Sequence, residues 1–439
     1  MIRSSLLALC LGVLFVFPVA AQEKKAGGPT GGSDAKSAAG APKSGDATPA
    51  KPAAEAEQTA DNATSDDPAV AEFDKVFAEW KELLSTLQDL RAKYIETPRK
   101  GNLRQPIKQE YDELVKQGDQ LEPKVIQAAV AAFPVIGDKR PQIGKFLAEL
   151  LKYDVERDNY EQAVPIAKVL IENEYDNPRV YNYGGIAALM TDDFDDAEKW
   201  LKEGEKQAVL DVQGKQALAH LEQSRDKWEQ EAEIREKEKK ADDLPRVLLK
   251  TSQGDITVEL LENEAPNTVA NFISLVEKKH YDGLTFHRVI PHFMAQGGDP
   301  SGDGTGGPGY TIPDEVDKEN YRKHFRGSLS MAKTQAPNTG GSQFFLCFVP
   351  TDHLDGLHTV FGRVIDGMEV LGRIRRTEPT PDKKDQFTPP TSKQLDRILE
   401  AVVLRKRKHE YVPKKTGDES AGESDGGKND KSQNEKGTE

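Results

Sequence analysis

The sequence predicts a multidomain chain: an all-α domain of helical hairpins, followed by a β-rich domain that is a closed barrel or a sandwich. Three observations predict it. From Ala69 to about Trp228, apolar residues recur at helical spacing. From Pro245 onward the period shortens to that of strands, in many short runs separated by Gly and Pro. A length of 439 residues also exceeds one ordinary domain.

Residues Met1 to Ala21 have the pattern of a secretory signal peptide. Arg3 supplies the positive charge, Leu6 to Val16 the apolar stretch, and Val19-Ala20-Ala21 a small-residue cleavage site before Gln22. The apolar run falls short of the roughly 20 residues of a membrane span. Cleavage and export, to a periplasm or the exterior, are therefore expected, with an uncleaved anchor as the alternative and no stable membrane insertion. Gln22 to Pro68 is rich in Ala, Pro, Gly and Lys and reads as a disordered linker; after about Val412 a polar tail follows, covering 412–439. Neither can bury enough apolar surface to offset its ordering entropy. A net charge of −14 argues against nucleic acid as a partner. Of the two cysteines, Cys10 lies in the signal segment, so Cys347 alone would remain and no internal disulfide is expected.

The helical domain is expected over 69–240. Val70, Phe73, Val76, Phe77, Trp80, Leu83 and Leu84 form a stripe that Leu87 and Leu90 continue, before Pro98. Further helices are predicted over Gln109 to Gln117 and Val125 to Phe133, the latter ended by Pro134. An internal repeat then appears: Asn159-Tyr160-Glu161-Gln162-Ala163 is echoed by Asp193-Phe194-Asp195-Asp196-Ala197, 34 residues later. This period resembles that of tetratricopeptide repeats, here in two degenerate copies over about 144–211. The resemblance leaves two readings open, a docking module for a protein partner or a helical spacer. Gln216 to Lys240 is charge-dense and reads as a solvated linker helix.

The β-rich domain is expected over 245–408. Arg246 to Thr251 and Asp255 to Leu260 are strand-like, with a turn at Ser252-Gln253-Gly254. Further strands are predicted over Leu284 to Ile290, Phe293 to Gln296, Ser328 to Ala332, Gln343 to Phe348, Val360 to Val364 and Ile398 to Leu404. Pro266 to Lys278 and Met368 to Arg375 read as helices. Strand alternation sends Phe344 and Phe345 to opposite faces.

Within this domain, Phe286-His287-Arg288-Val289-Ile290-Pro291-His292-Phe293-Met294-Ala295-Gln296-Gly297-Gly298-Asp299 resembles the signature of the cyclophilins, a family of peptidyl-prolyl isomerases. So do Ser328-Leu329-Ser330-Met331-Ala332, Gly341-Ser342-Gln343-Phe344-Phe345, and the run from His353 to Gly362. The motifs follow the family's order and spacing. The resemblance implies a closed, antiparallel, eight-stranded barrel capped by two helices, and clients that are proline-containing polypeptides. By position, Arg288 resembles the catalytic arginine, and Phe293, Met294, Phe345 and Leu354 the proline pocket. Gln296 and Gln343 resemble the groups that hold the substrate backbone, His358 a groove-lining residue, and Ala332 a substrate contact. Lys333 to Pro337 make this last stretch one residue longer than in the eukaryotic form of the family. Best-known members carry Trp where this chain has His353, which predicts reduced sensitivity to the cyclic inhibitor cyclosporin.

The chemistry suits these residue types. An amide resists rotation by about 18–20 kcal/mol, and X-Pro bonds exchange over tens to hundreds of seconds. No bond is broken, so no nucleophile, metal or cofactor is required. A donor fixed where the amide nitrogen becomes pyramidal favours the twisted state over the planar one. Arg stays protonated throughout the accessible range, so weak pH dependence is expected. Other chemistries fit less well. The histidines lack metal-ligand spacing. The Gly302 to Gly307 match to a dinucleotide loop runs into Pro308, not a helix. Gly341-Ser342-Gln343-Phe344 is no nucleophile elbow. An alternative from another class remains: a chaperone or scaffold that grips proline segments without turnover and docks through the helical domain.

Overall fold

The computed structural model describes residues 67–98, 101–317, 320–379 and 387–418. The expected signal peptide, the linker up to residue 66 and the tail from residue 419 lie outside the described residues. Contacts divide the chain into a first unit, Met1–Val155 with Tyr160–Glu222, and a second, Glu156–Asn159 with Gln223–Glu439.

The first unit is helical. Its elements are α1 (Pro68–Glu96), α2 (Arg104–Ile136), α3 (Pro141–Glu156), α4 (Tyr160–Glu172), α5 (Arg179–Met190), α6 (Phe194–Lys206) and the start of α7 (Val212–Ala241). The start of α1 follows from its sequence. The Ala69 N–H donates to the Asp67 carboxylate at 2.8 Å, and Pro68 occupies the first turn, where its missing N–H costs nothing. Its stripe from Val70 to Leu90 is buried except at Phe77, which is partly exposed.

One expectation fails here. The separate helices predicted around 109–117 and 125–133 form a single helix, α2, that runs through Pro123 and Pro134. Proline removes one helical donor and crowds the preceding turn. The apolar face of Val125, Ile126, Ala129, Ala132, Phe133 and Ile136 nevertheless continues across Pro134 and is buried, so packing overrides local propensity. In the repeat, Phe194 and Ala197 occupy the first turn of α6, and Tyr160 and Ala163 that of α4; all four are buried. A Cβ at Gly185 would stand 2.5 Å from Leu201, so only glycine permits this approach of α5 to α6.

The second unit contains β1 (Arg246–Thr251), β2 (Gly254–Leu260), α8 (Pro266–Glu277), β3 (Arg288–Ile290), β4 (Met294–Gly297), β5 (Ser328–Met331), β6 (Phe344–Cys347), β7 (Val360–Asp366), α9 (Met368–Arg373) and β8 (Ile398–Arg405). The strands form one antiparallel eight-stranded sheet in the order β3-β4-β6-β5-β7-β2-β1-β8. Beyond the ladders, the Gly283 N–H donates to the Ile398 carbonyl at 2.7 Å, and the Phe286 N–H to the Asp396 carbonyl at 2.9 Å. The predicted strand over 284–290 is regular only at Arg288–Ile290, because its first half makes these separate bonds.

The core of this unit is a cluster that includes Val247, Ile256, Val258, Val289, Ala295, Leu329 and Leu346. Phe272 of α8 fills its middle, with ring centroids 5.0 Å from Tyr281, 5.6 Å from Phe344 and 5.3 Å from Phe361. The charged C-terminal half of α7 is not simply solvated, as its sequence suggests. Glu231 and Glu238 are buried, and both accept hydrogen bonds from Arg322, whose Nε lies 3.1 Å from Glu231. Glu238 also accepts from Arg363.

Candidate active site

Three neighbouring strands build the site by their register. Arg288 on β3 lies opposite Gln296 on β4, and Gln296 lies opposite Phe345 on β6. Residues directly opposite in a ladder share a face, and residues two apart on one strand share it too. Ile290, Met294 and Cys347 therefore join Arg288, Gln296 and Phe345 on one side of the sheet. The alternating residues Val289, Ala295, Phe344 and Leu346 face the main core. This single alternation separates the candidate substrate face from the core.

The apolar residues of the groove form a cluster of their own. Met294, Ala332, Phe345 and Cys347 are its buried members, with Ile290, Phe293 and Leu354 packed against it. The apolar residues expected from sequence are thus brought together: Phe293, Met294, Ala332, Phe345 and Leu354. Ile290 and Cys347 belong with them, although the resemblance assigns neither to the site. Burial pushes the Cys347 thiol up to about 12, so it contributes shape and not reactivity.

Histidines brace the Phe345 ring. His324 stacks on it, with centroids 5.8 Å apart, and His358 meets it edge-on at 5.6 Å. The His324 ring is fixed by Asp355 Oδ1 and Ser330 Oγ, each at 2.9 Å. His358 Nδ1 lies 3.0 Å from the Met331 carbonyl, which assigns the Nδ1–H tautomer to the neutral ring. Burial lowers the His358 pKa, favouring that neutral form. Nothing in the local sequence pattern of Tyr321 to Phe325 links His324 to Phe345.

The polar residues of the groove bond to one another. Gln296 Nε2 donates to Gln343 Oε1 at 2.8 Å. Gln343 Nε2 donates in turn to the Gly304 and Gly306 carbonyls, each at 2.9 Å. The glycine-rich stretch that mimics a dinucleotide loop is therefore a wall of this site, tied down by Gln343 and by Asp299. The latter accepts backbone N–H bonds from Ser301 at 2.7 Å and Asp303 at 3.0 Å. Burial alone would raise the Asp299 carboxyl, but these backbone donors hold it below its ordinary value. Arg288 is half-exposed at the edge of the apolar cluster's face. Its Nε donates to Glu378 at 3.1 Å, and Glu378 is a neighbour the sequence did not announce.

This arrangement offers an apolar cup, amide groups beside it and a guanidinium at its edge. It has the parts to grip a small ring and to donate a hydrogen bond to an atom next to it. Residues 246–402 match the family "Cyclophilin type peptidyl-prolyl cis-trans isomerase/CLD". The chain is 55% identical over 134 residues to a peptidyl-prolyl cis-trans isomerase of Synechococcus elongatus, covering 30% of this chain and 90% of that one. It is 56% identical over 114 residues to peptidyl-prolyl cis-trans isomerase B of Bacillus subtilis, covering 26% and 78%. A crystal structure of a Cryptosporidium parvum cyclophilin-type isomerase, solved in the presence of the dipeptide Ala-Pro, shares 34% identity with it. That match covers 37% of this chain and 99% of the other, at a TM-score of 0.32. The chain belongs to the cyclophilin-type peptidyl-prolyl cis/trans isomerases, through a domain that occupies its C-terminal part.

Proposed function

We propose that Arg288 is the catalytic donor of this isomerase, and that Phe293, Met294, Ala332, Phe345 and Leu354 hold the proline ring of a client polypeptide. The observation that carries this reading is the row Arg288–Gln296–Phe345 across three strands, which sets a guanidinium beside an apolar cup. The cup fixes the ring while the acyl side turns about the C–N bond. As the amide nitrogen loses its resonance, its lone pair becomes available, and an Arg288 N–H donates to it. The planar ground state offers no such lone pair, so the bond is made only near the transition state. Gln296, Gln343 and the Ala332 backbone hold the flanking peptide, and His358 lines the groove.

A protease-coupled assay on an Ala-Pro tetrapeptide tests the assignment. Arg288→Ala is expected to lower kcat/KM about a hundredfold, on the scale of other preorganised donors. Arg288→Lys should recover little of it, because a compact ammonium on a flexible stem lacks the guanidinium fork. Retention of wild-type kcat/KM in Arg288→Ala would contradict the assignment.

The same reading extends to the rest of the chain. The protein acts on exported clients after removal of residues 1–21, and its 69–240 segment serves as a tetratricopeptide-like module that docks a partner or spaces the enzyme. The 34-residue echo and the glycine-mediated approach of α5 to α6 support the module. Mass spectrometry of the mature N-terminus tests cleavage before Gln22. The bonds from Gly283 to Ile398, which begins β8, and from Phe286 to Asp396, just before it, support a barrel whose ends meet.

A further inference from the structure

The segment after α9 lies along the outer edge of β3, where Arg288 is mounted. β3 stands at one end of the strand order and pairs on its other side with β4. At its outer edge, the Val289 N–H donates to Thr377 Oγ1 at 2.8 Å. The Thr377 and Glu378 N–H groups both donate back to the Val289 carbonyl, at 2.9 and 3.2 Å. Val289 is fully buried, so this anchor is seated in the core. It fixes the backbone of Glu378 next to that of Arg288. The Glu378 carboxylate then accepts from Arg288 Nε at 3.1 Å.

The choice of nitrogen matters. A carboxylate can take the guanidinium fork through both terminal nitrogens. Here Nε is used, and the Nη1 and Nη2 groups make no hydrogen bond among the described residues. A long, half-exposed arginine otherwise samples many rotamers. We propose that Glu378 is a positioning residue for the isomerisation: it holds Arg288 by Nε and presents the terminal N–H groups to the rotating amide. This rests on Arg288 being the donor. The energetic gain lies in orientation, not in folding, because an ion pair this exposed contributes little to stability.

A double-mutant cycle in the full chain tests it, with kcat and KM for an Ala-Pro peptide determined by exchange NMR. Glu378→Ala is expected to lower kcat about tenfold, with KM changed less than about twofold and the melting temperature unchanged. Glu378→Gln, which keeps an acceptor oxygen, should recover part of the loss. In an Arg288→Ala background, Glu378→Ala should have no further effect, because the group it positions is gone. An unchanged kcat in Glu378→Ala, a loss confined to KM, or an equal loss in both backgrounds would overturn the proposal and leave the role of Arg288 standing. Wild-type kcat in Arg288→Ala alone would overturn the Arg288 assignment, and the positioning role with it.

Discussion

Phe344 and Phe345 are neighbours in sequence and lie in different apolar clusters. Phe344 sits in the main core, edge-on to Phe272 at 5.6 Å, while Phe345 lies in the groove with Met294 and Ala332. The two substitutions should therefore separate stability from function. Phe344→Ala is expected to cost about 3–5 kcal/mol of folding stability, the usual loss for a large core aromatic. Phe345→Ala should destabilise less, because the groove side can admit water, and should lower kcat/KM more. Urea unfolding and peptide isomerisation on both variants check this.

Gln343 joins the Gly304 and Gly306 carbonyls to Gln296. Gln343→Ala removes these bonds together. Three bonds, each at the low end of the usual net worth of about 0.5 kcal/mol, correspond to a fall in kcat/KM of about tenfold. The loop should loosen at the same time, and faster amide exchange across 301–306 in the free enzyme is the direct readout.

The buried pair Glu231–Arg322 gives a pH dependence of known sign. Burial alone would raise the Glu231 carboxyl. The Arg322 hydrogen bonds and charge, with Arg235, more than offset this and leave it lowered. A lowered folded-state pKa contributes stability that is present above the unfolded value of about 4.3 and is lost as pH falls through the folded value. Glu231→Gln should thus destabilise the second unit at neutral pH by about 3 kcal/mol, since it leaves Arg322 undercompensated. The gap between variant and wild type should narrow below about pH 4. Glu264 works against the trend, because burial raises its carboxyl. Thermal melts from neutral to acid pH measure the balance.

His353 is exposed, with its ring centroid 5.6 Å from that of Phe293 at the rim of the cup. It stands where best-known family members carry Trp. His353→Trp should increase the affinity for cyclosporin while leaving peptide turnover within about threefold, since a larger aromatic at a rim adds contact area without touching the donor. Inhibitor titration of the two proteins checks both parts.

Much of the candidate site was legible because Arg288, Met294, Gln296 and Phe345 lie on one face of short strands. The alternation of Phe344 with Phe345 placed each side chain correctly, and the run from Phe286 to Asp299 carried Arg288, Phe293, Met294 and Gln296 in a single stretch. What escaped was supplied by distant segments. Glu378 reaches Arg288 through a backbone anchor on Val289, and His324 reaches Phe345 from outside any regular element. The charge run in α7 looked solvated because its buried partners, Arg322 and Arg363, come from elsewhere in the unit. Pro134 looked like a helix end because local rules weigh the lost hydrogen bond, and not the apolar face that continues past it to Ile136.

The sharpest test compares binding and turnover in Arg288→Ala, using an Ala-Pro peptide followed by exchange NMR. If Arg288 acts on the twisted amide, the variant should bind the peptide within about threefold of wild type and catalyse exchange about a hundredfold more slowly. Exchange at the wild-type rate, with binding intact, would contradict it.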